Sequence, residues 1–197
     1  MRINENYLKM SAIASCAFLM SMAVTPDASA REKPCKHLHG RIIETLMHPA
    51  GAPNDPLGRV LGKVSGSLKG SETAILLTPP TPNPETGALE SLVSVTFMTG
   101  PGDTLATEGL AVLSPIPGTL HVSDTVTVDI LPEESTGKFH GTTGTIILEG
   151  VGFDFFPAPS PGNTIFVFKY RGEICGLEGR KHRHHKGRKY RHHSAKN

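Results

Sequence analysis

Short runs rich in Val, Ile, Thr and Phe recur along the chain, separated by clusters of Gly, Pro, Asn and Asp. β-Branched and aromatic residues suit a pleated, half-buried surface, and the intervening types are those of turns. The pattern predicts eight strands, at residues 39–47, 60–68, 73–78, 91–98, 104–113, 120–131, 141–149 and 164–174. Turn chemistry marks the joints: the proline-rich run 79–84, Gly100-Pro101-Gly102-Asp103, Pro115-Ile116-Pro117-Gly118, and residues 157–163. After the first thirty residues no segment keeps a helical period over about ten positions. The expected fold is therefore all-β. An even number of successive antiparallel strands with short turns closes most simply as an up-and-down barrel, which removes exposed edges; a two-sheet sandwich is the alternative.

Alternation assigns the faces. Leu120, Val122, Val126, Val128 and Ile130 share one side of their strand, with His121, Ser123, Thr125, Thr127 and Asp129 on the other. In the last strand Phe166, Phe168 and Tyr170 oppose Lys169, Arg171 and Glu173, so the three aromatics are expected to face inward and to contact a ligand. Cys175 falls on the outward face. Three acids fall on apolar faces: Glu44 with Ile42 and Leu46, Glu108 with Leu110 and Val112, and Asp124 with Val122 and Val126. A carboxyl group buried in an apolar barrel has its pKa raised, which suits proton transfer to or from a bound molecule, so these three are the catalytic candidates. The alternative is that they sit near strand ends in water, or that a face is assigned one residue out of phase.

The first thirty residues belong to a different kind of segment. Arg2 and Lys9 precede an apolar run, residues 10–24; Pro26 ends it, and Ala28-Ser29-Ala30 supplies small residues before a cut. This is the layout of a secretory signal peptide cleaved after Ala30, and it predicts export to a periplasm or the cell exterior. Ile13-Ala14-Ser15-Cys16 has the form of a lipidation box but lies in the middle of the apolar run. Cleavage leaves a domain at 31–178 and a tail at 179–197. Of the cysteines only Cys35 and Cys175 remain, an even number in an oxidising compartment, and a bridge between them is expected. It would close a loop of about 140 residues and contribute roughly 2–4 kcal/mol.

Net charge is +2, but the average conceals a split. Residues 31–178 hold sixteen acids against ten Lys and Arg, whereas residues 180–197 hold eight Lys and Arg, five His and no acid. Within the tail Lys181-His182-Arg183-His184-His185 returns eight residues later as Lys189-Tyr190-Arg191-His192-His193. Such a segment cannot bury a core and is expected to be disordered. Its His182, His184, His185, His192 and His193 are weak candidate ligands that would hold Zn, Ni or Cu loosely. Its cations would draw it to anionic surfaces, increasingly below about pH 6.5 as His protonates. Specific nucleic-acid binding is not expected, because no recognition fold accompanies the charge. A second metal arrangement, Cys35, His37 and His39 on one face of an extended strand, lacks further ligands and competes with the disulfide.

The stretch Ser135 to Gly150, STGKFHGTTGTIILEG, combines glycines with a strand. A phosphate-binding loop needs Gly-Lys-Ser/Thr opening a helix, but Gly137-Lys138 is followed by Phe139 and a strand, so nucleotide binding is not expected. Instead Thr136-Gly137-Lys138-Phe139, Gly141, and Gly144 leading into an apolar strand resemble the penultimate strand of the allene oxide cyclase/dirigent-like barrels. Asp55-Pro56-Leu57-Gly58 before Gly62-Lys63-Val64-Ser65-Gly66 is similar to their second strand, and residues 163–170 to their closing strand. The resemblance spans most of residues 40–176. It implies an eight-stranded antiparallel barrel with an apolar mouth and, in the dirigent branch, a trimer. Glu134-Ser135 and Thr143 stand where dirigent proteins carry paired glycines and an arginine, and no acidic site residue of the family can be matched here.

Two functions follow. One is an exported barrel that binds a small apolar molecule, as a cofactor-free cyclase or a guide of a reactive intermediate. The other is a non-catalytic interaction protein whose tail binds metal ions or anionic surfaces.

Overall fold

A computed structural model of the protein describes residues 34–49 and 58–177. The leader with its cleavage site and Cys16, residues 55–57, and the tail with His182, His184, His185, His192 and His193 lie outside them. The strands are β1 (Cys35–His48), β2 (Arg59–Gly66), β3 (Gly70–Leu76), β4 (Thr81–Pro82), β5 (Leu89–Gly100), β6 (Asp103–Pro115), β7 (Val122–Ile130), β8 (Thr143–Phe153) and β9 (Ile165–Cys175). All eight strands read from the alternation are present, and β4 is a two-residue addition inside the proline-rich connector. A 3-10 turn at Gly137–Phe139 joins β7 to β8.

Every pairing is antiparallel. From β1 each long strand pairs with the next, with β3 passing directly to β5, and β9 returns to β1. The sheet therefore closes as an eight-stranded up-and-down barrel, and the sandwich alternative falls away. Closure removes the unpaired edges that an open sheet would present. The β1–β9 seam is also covalent: Cys35 and Cys175 lie opposite each other in its register and form a disulfide.

Alternating burial along the strands gives the barrel an apolar interior. On β7 the buried positions are Val122, Asp124, Val126, Val128 and Ile130, and on β9 they are Phe166, Phe168, Tyr170 and Ile174. Leu120, expected on the inner face, precedes β7 and is exposed. Large rings inside so narrow a barrel need small partners on the neighbouring strand. Tyr170, Phe168 and Phe166 lie opposite Gly40, Gly150 and Gly152, and a Cβ at any of these glycines would collide with the facing ring.

The two ends differ. The end carrying the β2–β3, β5–β6 and β7–β8 connections is plugged by Leu68, Phe97, Leu105, Phe139 and Ile174, all at most 2% exposed. Its polar groups are tied down. The Tyr170 hydroxyl accepts from the Leu68 N–H at 2.8 Å and donates to the Ser65 carbonyl at 3.0 Å. The stretch that could have cradled a phosphate belongs to this plug. Gly137 has φ +61° and packs where a Cβ would strike Asp103. The next N–H, of Lys138, donates to Asp103 Oδ1 at 3.2 Å, and the Lys138 ammonium lies 3.4 Å from Asp103 Oδ2.

Candidate functional site

The opposite end is open. A cavity of about 290 Å3 enters between the β3–β5 and β8–β9 connections and runs down to Phe168. That is at the lower end of the roughly 300–1,000 Å3 typical of small-molecule sites. Its wall is aliphatic on β5, β6 and β7, with Val93, Val95, Ala111, Leu113 and Val126, and aromatic on the other side. There Phe166 and Phe168 stack with centroids 6.1 Å apart, and Phe155 from the β8–β9 connection meets Phe166 edge-on at 6.2 Å.

Two acids interrupt this surface: Glu44 from β1 and Asp124 from β7, 5% and 6% exposed. A third, Glu72 on β3, is fully buried behind Glu44. Register explains that pair. Glu44 lies opposite Gly62 on β2, and Gly62 lies opposite Glu72, so the two side chains point inward on either side of a position without one. A Cβ at Gly62 would run into Glu72 Oε1 and Glu44 Cγ. Gly62 makes the room for both carboxyls. Asp124 likewise faces Gly150, beside the ring of Phe168.

The electrostatics follow from burial. Desolvation is the first cause at all three sites, because an apolar surround disfavours the charged carboxylate. It raises Glu72 and Asp124 to about 7, and Glu44 well above the usual glutamate range. At Glu44 the charges of Glu72 and Asp124 push in the same direction. The Glu44 and Glu72 carboxyls lie close enough to share a proton, a contact that raises Glu44 further and holds Glu72 down, whereas Asp124 Oδ1 has no hydrogen-bond partner. Leaving such atoms unpaired costs on the order of 1–3 kcal/mol each, more when charged. The β-barrel retains such an atom on the wall of its cavity.

The structure sorts the sequence candidates. Glu44 and Asp124 face inward as their apolar neighbours indicate, and Phe166 and Phe168 line the cavity. Tyr170 faces inward but lies below the cavity, pinned at the plugged end by its two hydrogen bonds. Glu108 is exposed on the outside of β6. Its companions Leu110 and Val112 belong to that outer face, while Leu105, Thr107, Ala111 and Leu113 are the buried set. Thr107 tolerates the interior because its hydroxyl donates to the Val95 carbonyl at 2.7 Å. Small and polar inner positions opposite large outer ones inverted the apparent phase. His37 and His39 are exposed on β1, and Cys35 beside them is consumed by the disulfide, so that arrangement has no thiolate to offer a metal.

Sequence reasoning missed Glu72. Its signal was the alternation Glu72, Ala74, Leu76, hidden because the strand was begun at residue 73 whereas β3 starts at Gly70. Comparisons with protein-family models, with curated proteins and with solved structures find no match to this chain.

Proposed function

We propose that this protein is an exported β-barrel that takes a small, largely apolar molecule into its open end. The observation that carries the proposal is the apolar cavity with two buried carboxyl groups on its wall. Apolar lining with a few convergent polar groups is the usual composition of a small-molecule site. Burial keeps Glu44 and Asp124 protonated to higher pH than free carboxyls. The wall thus offers an acid that a cofactor-free cyclase, or a guide of a reactive intermediate, would use. Export is supported by the leader's layout and by the Cys35–Cys175 bridge, a bond favoured in oxidising compartments. Barrel closure and the glycine positions of residues 137–144 support kinship with the allene oxide cyclase/dirigent-like barrels. Outside the barrel Leu61, Ile43, Val167, Ile165 and Phe153 form an exposed apolar face across β2, β1, β9 and β8, which suits self-association as the trimer that kinship implies.

The test is uptake of N-phenyl-1-naphthylamine, whose fluorescence rises in apolar surroundings. Wild-type protein is expected to take up the dye and Phe168→Arg to lose it, with circular dichroism reporting the fold of each. Equal uptake by a folded Phe168→Arg variant would sink the cavity as the binding site. A chain lacking residues 180–197 should bind like wild type; loss of binding there would favour the tail as the functional surface.

A further inference from the structure

We propose that the molecule held in the barrel is an amphiphilic amine, its protonated nitrogen seated between Glu44 and Asp124 and its apolar body against Phe166, Phe168 and the aliphatic wall. The inference rests on the binding reading above and narrows it to a chemical class.

Among the described residues, the ionisable groups on the cavity wall are Glu44 on β1, Arg59 on β2 and Asp124 on β7, with Glu72 on β3 behind Glu44. Strands β5, β6, β8 and β9 contribute only uncharged lining. Arg59 stands at the rim and is exposed, so Glu44 and Asp124 are the ionisable groups a guest meets deeper in. Asp124 lines the cavity, is 94% buried at 6% exposure, and presents an Oδ1 with no hydrogen-bond partner. An unpartnered acceptor at that depth marks where a donor from a guest would sit.

The kind of donor follows from the number of acids. A hydroxyl brings one proton and could serve one carboxyl; an ammonium brings several N–H donors, no acceptor and a full positive charge. Only the second offers a counter-charge against which a buried carboxyl can ionise, turning a neutral hydrogen bond into a charge-assisted one, roughly twice as strong. Carboxylate or phosphate guests would bring negative charge where Glu44 and Asp124 offer no counter-charge. A bare divalent cation fits poorly, because these three carboxyls do not bring ligand atoms within 4.8 Å of one another. An ammonium needs only the two acids on the wall, Glu44 and Asp124, and the apolar body occupies the rest of the cavity.

Arrival of the cation has a measurable consequence. Carboxyls that burial holds protonated would ionise against it and release protons to solvent. Isothermal titration of the full chain with n-octylamine and with n-octan-1-ol, at pH 6.5 in two buffers of different ionisation enthalpy, reads both effects. The expected result is amine binding at least ~10-fold tighter than alcohol binding, with proton release for the amine alone. Asp124→Asn and Glu44→Gln should each bring the amine-to-alcohol ratio toward one and reduce the proton release. Equal affinities in wild type, amine binding without proton release, or a preference surviving in the folded double variant would overturn the proposal. If octanol binds and octylamine does not, the amine is wrong and the apolar site stands; if neither binds, both readings fall. Should the variants fail to fold, wild-type selectivity and proton release decide the matter by themselves.

Discussion

At its plugged end the barrel pairs the polar groups it buries; on the wall of its cavity it leaves an oxygen of Asp124 without a partner. The same strands run through both. Near the plug, Tyr170 holds two backbone partners, Asp103 meets Lys138, and the Ser135 hydroxyl donates to the Leu131 carbonyl at 2.8 Å. On the cavity wall Asp124 keeps an unpaired oxygen in an apolar surround, and Glu72 is buried between Glu44 and the plug residue Phe97. Buried polar atoms in folded proteins are usually satisfied, and the exceptions concentrate where function outweighs stability. The plug keeps the barrel closed, and the mouth keeps a cavity ready.

That division can be broken from either side. The largest expected effect is at the plug. Phe139 is 2% exposed and fills the barrel end from its 3-10 turn, so Phe139→Ala should cost about 3–5 kcal/mol in urea unfolding. A loss under 1 kcal/mol would mean that the end is not a packed core. Next is the seam: replacing Cys35 and Cys175 together by Ser should cost about 2–4 kcal/mol, read the same way. Indifference to that change would place closure entirely in the β1–β9 hydrogen bonds and packing.

Much of this architecture was legible in the sequence because a strand's period of two is a strong signal where one face is buried. Phe166, Phe168 and Tyr170 announced β9, and Val122 to Ile130 announced β7. The cysteine count anticipated the seam. Depth along the barrel was not legible: alternation says that Tyr170 faces inward, but only the assembled strands show that it lies below the cavity. Phase failed at β6, where the inner face carries Thr107, Gly109 and Ala111 and the outer one Leu110 and Val112. The Glu44–Glu72 pair was also out of reach. It depends on the pairing of three strands across Gly62, a register that the residues of one strand do not contain.

The comparison between the ends is tested most directly by stability against pH. Glu72 and Asp124 have folded pKa values near 7, above their ordinary 4.5 and 3.8. Between these limits the native protein binds more protons than the unfolded chain, so its stability falls as pH rises. The stabilisation is complete below about pH 4 and is lost as pH rises through about 7. At about 1.4 kcal/mol per pKa unit, upward shifts of this size together account for a few kcal/mol. Urea unfolding of the ligand-free protein at pH 5 and pH 8 should therefore show wild type less stable at pH 8 by a few kcal/mol. Glu72→Gln should show a visibly smaller difference, while Glu108→Gln, on the exposed face, should stay within ~0.5 kcal/mol of wild type. Stability that is flat or rising from pH 5 to pH 8, with Glu72→Gln indistinguishable from wild type, would mean that the buried carboxyls are charge-paired or hydrated, and would contradict the account.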